Sequence, residues 1–111
     1  MSENPQTLAP LYSILSQSPD LREIVQMFVD EMPKRINTIL QEFQAKDWDN
    51  LLLTTHQLKG SAGSYGFTEI SPAAGTVENL LRKQSSETEI YQAIEELIAL
   101  CRRASAEGPQ N

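Results

Sequence analysis

The sequence predicts an all-α fold: an antiparallel, up-and-down four-helix bundle with an additional short N-terminal helix. Three observations lead there. Apolar residues recur at intervals of three and four through long segments between residues 19 and 101. Cap residues punctuate those segments and leave short connections between them. No segment shows the alternating, β-branched pattern of a strand.

Residues 1–6 are polar, with an early Pro5, and are expected to fray. Leu8, Leu11, Ile14 and Leu15 suggest a short amphipathic helix that must pack on something larger. It serves either as a lid on the core or as part of a docking face. Ser18 and Pro19 have the character of an N-cap and a first helical residue. From there Leu21, Ile24, Val25, Phe28, Val29, Met32, Ile36, Ile39, Leu40 and Phe43 keep helical phase. Pro33 interrupts this run and removes the hydrogen bond to the Val29 carbonyl. Because the apolar phase continues past it, one long kinked helix is expected rather than two independent ones.

Asp47 is the expected cap of the next helix, with Trp48 packing at the bundle end. Leu51, Thr55, Leu58, Ala62 and Tyr65 form its buried stripe. The following helix starts near Thr68 or Ser71, with Pro72 in its first turn and Ile70, Ala73, Ala74, Val77, Leu80 and Leu81 facing inward. Ser86 and Glu89 make a capping box for the last helix, whose stripe is Ile90, Ile94, Leu97, Ile98 and Cys101. The helical domain is drawn over residues 7–105, and 106–111 are expected to be a mobile tail.

Composition narrows the function. A chain of 111 residues makes one domain with a single core. A net charge of −6 argues against nucleic acid, whose phosphates demand clustered cations. No apolar run approaches the roughly 20 residues of a membrane span. The N-terminus lacks the layout of a secretory signal, so the cytoplasm is the expected location. Cys101 stands alone, without a disulfide partner or a metal-ligand set, and no metal is expected. No P-loop or kinase motif occurs, which points away from an ATP-using enzyme.

One stretch stands out, LLLTTHQLKGSAGSYGF, residues 51–67. It holds the only histidine, His56. At ~100° per residue, His56 points roughly 140° from the buried stripe and is therefore expected at the surface. Lys59, Gly60 and Gly63 share its side of the helix. A helical glycine costs about 1 kcal/mol relative to alanine. Two on one face suit a surface that another protein approaches closely, although Gly63 and Gly66 also sit where a helix could end. Leu52, one turn before His56 and outside the stripe, is expected to be half exposed and to dock a partner, with Leu11 and Ile14 nearby.

The same residues resemble the signature of histidine phosphotransfer (HPt) domains, approximately H-x-L-K-G-[SA]-[SA]-x-x-hydrophobic-G. His56, Leu58, Lys59, Gly60, Ser61, Ala62, Tyr65 and Gly66 fill it without a gap, and Ile70 and Glu78 match its continuation. The run GFTEI…TVENLL is also similar to the phosphotransfer domain of chemotaxis histidine kinases. The resemblance implies a phosphorelay carrier. His56 would accept a phosphoryl group, through Nε2, from a receiver aspartyl-phosphate or a kinase and pass it to another receiver. The implied partners are response-regulator receiver domains and a hybrid histidine kinase. Mg²⁺ belongs to the receiver, and this chain, expected as a monomer, carries no cofactor. Lys59 is placed to meet the phosphate. Two rival functions are a receiver-docking module without phosphotransfer and a purely structural bundle. For Glu78 two readings stay open: the resemblance turns it towards His56, whereas i,i+4 spacing pairs it with Arg82.

Overall fold

Helix-forming runs and their caps account for most of the architecture. The computed structural model describes residues 9–107. A two-residue strand, β1 (Leu11–Tyr12), is followed by a 3₁₀ turn over Ile14–Gln17. Five α-helices come next: α1 (Pro19–Asp30), α2 (Met32–Gln44), α3 (Trp48–Ser64), α4 (Ile70–Arg82) and α5 (Glu87–Arg103). A second short strand, β2 (Ala104–Ser105), closes the described chain.

The molecule is an all-helical bundle. Helices α2, α3, α4 and α5 pack in a ring, α2 on α3, α3 on α4, α4 on α5 and α5 back on α2. Val25, Phe28, Met32, Ile36 and Ile39 from α1 and α2 meet Leu51, Leu58 and Ala62 of α3, Ile70, Ala74 and Val77 of α4, and the α5 stripe in one core. Ser18 takes the N-cap position of α1 without a side-chain cap bond, whereas the caps expected at Asp47 and Ser86 form. The Asp47 carboxylate accepts the Asn50 N–H, and Ser86 and Glu89 make a reciprocal capping box. Pro72 falls in the first turn of α4, where its missing N–H costs nothing.

Three expectations change. The expected amphipathic helix at the N-terminal end is replaced by β1 and the 3₁₀ turn; Leu8 lies outside the described residues. Backbone groups there are spent on distant partners. Leu11 and Tyr12 pair in parallel with Ala104 and Ser105, and the Ile14 N–H donates to the Gly66 carbonyl at 3.0 Å. The Ser13 hydroxyl caps the 3₁₀ turn and donates to the Tyr65 carbonyl. An i→i−4 ladder cannot form with those groups already committed. Second, the long kinked helix is divided at Glu31 alone, whose backbone stays in the right-handed helical region (φ −85°, ψ −7°). Pro33, in the first turn of α2, explains the break, and the unbroken core stripe explains why the phase survives it. Third, Ala106, placed in the tail by sequence, is buried, and its carbonyl accepts the Ser16 hydroxyl at 3.0 Å.

Candidate functional site

The site is built on two facing helices. In α3 the stripe Leu51, Thr55, Leu58 and Ala62 is buried, which turns the opposite side to solvent. The His56 side chain is 57% exposed, as the helical phase requires. Lys59 is half-buried, and Gly60 and Gly63 are exposed on the same side. A Cβ added at Gly60 would meet nothing within 4 Å, and one at Gly63 would make only ordinary contact with Ser71. The fold itself therefore does not require either residue to be glycine.

Glu78 of α4 reaches this face and is buried, with only 5% of its side chain accessible. Its Oε2 lies 3.0 Å from His56 Nδ1. The same oxygen accepts from Arg82 Nη2 at 2.8 Å and Nε at 3.2 Å. Lys59 Nζ sits 3.1 Å from Oε1, yet Oε1 takes no directed hydrogen bond, so this contact is an ion pair. The Arg82 guanidinium, chiefly, with Lys59 and His56 behind it, holds the carboxyl at about 2 against the opposing push of burial. Glu78 is therefore an acceptor at any physiological pH. Nδ1 of a neutral His56 must be the protonated nitrogen, which leaves the lone pair on Nε2. Nε2 has no hydrogen-bond partner among the described residues. The two readings left open for Glu78 are both realised, on one carboxylate.

Sequence reasoning singled out His56, Lys59, Gly60, Gly63 and Glu78, and the structure brings these five onto the α3–α4 face. On the α4 side it named Glu78 and Arg82 and missed Ser71 and Gly75. Ser71, Gly75, Glu78 and Arg82 fall at intervals of four, three and four, a single helical face turned towards α3. The Ser71 hydroxyl donates to the Lys59 carbonyl at 2.8 Å and ties the two helices together. Gly75 lies beneath the Lys59 stem, and a Cβ there would come within 3.2 Å of Lys59 Cδ. The family resemblance turned Glu78 to this face, but nothing in the spacing singled out Ser71 or Gly75 beside it.

The apolar surroundings are partly as expected. Leu52 is half-buried and lines a groove of about 550 Å³ with Trp48, Leu81 and Ile90. Leu53, which sequence reasoning passed over, is 53% exposed one turn before His56. Ile14 is 59% exposed but packs at Gly66, ten residues beyond the histidine. Leu11 is buried in the β1–β2 clasp and is not available to dock anything, which corrects that expectation. Gly66 adopts φ +83°, and a Cβ there would lie 2.9 Å from Ile14 Cγ1, so only glycine fits this turn. Among the described residues no group of three His, Cys, Asp or Glu is placed to hold a metal ion, and no helix is long and apolar enough to cross a membrane.

A helical bundle that presents one imidazole outward and pins its Nδ1 with a buried carboxylate is the class of site defined here. A family model of the Hpt domain matches residues 23–107, and the chain belongs to that family. Hpt domains are the histidine phosphotransfer proteins of two-component phosphorelays. No curated protein and no solved structure matches the chain.

Proposed function

We propose that His56 is the residue phosphorylated, and that the protein is a carrier between receiver domains rather than an enzyme in its own right. The observation that carries this reading is the 3.0 Å contact between Glu78 Oε2 and His56 Nδ1, which leaves Nε2 as an outward-facing nucleophile. In the transfer, the Nε2 lone pair attacks the phosphorus of an aspartyl-phosphate. The N–P bond forms as the P–O bond to the aspartate breaks, and the aspartate leaves as a carboxylate. The ring becomes positively charged with its proton still on Nδ1, beside an ionised Glu78 that stabilises that charge. The reverse step delivers the phosphoryl group to a second receiver. Mg²⁺ and the acidic pocket are supplied by the receiver, and a hybrid histidine kinase is the upstream source.

Lys59 faces both ways. Its ammonium is paired with Glu78 but 43% of the side chain is accessible, so it can share its charge with an incoming phosphoryl group. Gly60 and Gly63 keep the approach clear, and Leu52, with its neighbour Leu53, gives the receiver an apolar contact beside the reactive ring. Ile14 extends the apolar surface at the far end of α3. Short connections between α2, α3, α4 and α5 support an antiparallel, up-and-down arrangement. We place the carrier in the cytoplasm, as a monomer.

The experiment is to mix the protein with phosphorylated receivers and look for phosphate that is acid-labile and alkali-stable. His56→Gln should lose the label and keep its helical circular dichroism. A label that survives the substitution assigns the phosphate elsewhere and refutes the proposal.

A further inference from the structure

A cation in the last turn of a helix is commonplace, since it complements the helix dipole. Arg82 sits in that last turn of α4, but its contacts are more specific than the dipole requires. Both Nε and Nη2 converge on Glu78 Oε2, the very oxygen that takes the His56 Nδ1–H. The charged groups facing this carboxylate are Lys59 and His56 from α3 and Arg82 from its own helix. Lys59 addresses the other oxygen without a directed hydrogen bond. Arg82 is thus the group that fixes where Oε2 points.

We propose that Arg82 is a positioning residue for phosphotransfer, acting through Glu78 to hold the His56 ring in its Nδ1–H form with Nε2 free. The inference rests on the function proposed above. The fork of two N–H donors locks the carboxylate rotamer, and with it the ring orientation and the Nδ1–H tautomer that leaves the Nε2 lone pair free to attack phosphorus.

The test compares Arg82→Ala and Arg82→Lys with wild type. Arg82 is 56% exposed, so neither change disturbs the core. Arg82→Ala should slow acceptance of phosphate from a phosphorylated receiver by about tenfold at neutral pH, the low end of the loss seen, by analogy, when a group orienting a metal-bound histidine is removed. In the unphosphorylated protein, the ¹³C titration of the Glu78 carboxyl should rise from about 2 towards its ordinary 4.5, and ¹⁵N shifts of the His56 ring should show loss of the single tautomer. Arg82→Lys, which keeps the charge and loses the fork, should restore the carboxyl titration more fully than the tautomer. A variant Arg82→Ala that transfers at the wild-type rate, with carboxyl titration and ring shifts unmoved, reduces Arg82 to a helix-end cation and overturns the inference. Wild-type protein that takes no phosphate overturns the proposed function instead, and the two NMR readouts then decide the anchor by themselves.

Discussion

Gly60 separates what the fold needs from what a partner needs. It lies inside α3, one turn beyond His56, and a Cβ there meets nothing within 4 Å. Gly60→Ala therefore adds no clash, and it removes the conformational cost of a helical glycine, about 1 kcal/mol. For a domain of this size that gain should raise the melting temperature by about 4 °C. Gly60→Gln should be nearly as favourable to the helix, but it lays a long side chain across the face beside the imidazole. Forcing extra atoms into a packed interface costs about 1–3 kcal/mol, or about 5- to 150-fold in affinity. The assay is thermal circular dichroism on both variants, together with transfer rates across a range of phosphorylated receiver. The loss should appear as weaker apparent binding, with the rate recovered at saturating receiver. Stability and function should thus move in opposite directions. A lowered melting temperature in Gly60→Ala, or full transfer at low receiver concentration in Gly60→Gln, refutes the reasoning that the glycine is kept for clearance.

Three further outcomes follow from the same geometry. Glu78 has its carboxyl lowered from 4.5 to about 2, so its cluster contributes stability that is complete above about pH 4.5 and lost as pH falls towards 2. Denaturant titrations of wild type and Glu78→Gln should differ by about 1–2 kcal/mol at neutral pH, after discounting for the exposed cations around it, and converge in acid. Lys59→Ala should slow transfer about tenfold or more in single-turnover kinetics, the scale of a charge-assisted hydrogen bond, while leaving the helical content unchanged. Leu53→Asp and Leu52→Asp should weaken receiver binding in a calorimetric titration, whereas Leu11→Ala, at a buried position, should cost about 2 kcal/mol of stability and leave binding intact.

What was legible in the sequence had a local cause. The side shared by His56, Lys59, Gly60 and Gly63 follows from the helical repeat alone, and so does the burial of Thr55 and Leu58. Caps at Asp47 and Ser86 are likewise short-range chemistry. What was missed depended on how elements meet. The roles of Ser71 and Gly75 exist only once α4 is laid against α3 in one register, and helical periodicity carries no information about that. Leu11 was misplaced because four apolar residues over a short span fit a turn of helix as well as a short strand. The contact that decides between them lies at the other end of the chain, at Ala104. Leu53 was overlooked because an exposed leucine breaks no pattern.

The pairing of β1 with β2 has a consequence for how this molecule opens. Leu11–Tyr12 on Ala104–Ser105, and the Ser16 hydroxyl on the Ala106 carbonyl 90 residues away, join two distant segments with very few bonds. Closing so long a loop is entropically costly, whereas the helix pairs α3–α4 and α4–α5 close over short connections. The clasp is therefore the natural first seam of the molecule: a sub-global opening that exposes its amides to exchange while the α3–α4 pair stays shut. The amides of Ile14 and Tyr12 would trade their hydrogens well before those of Leu58 or Val77. A histidine seated near the middle of α3, held from α4, is insulated from that loosening. The molecule can breathe at its seam without disturbing the imidazole.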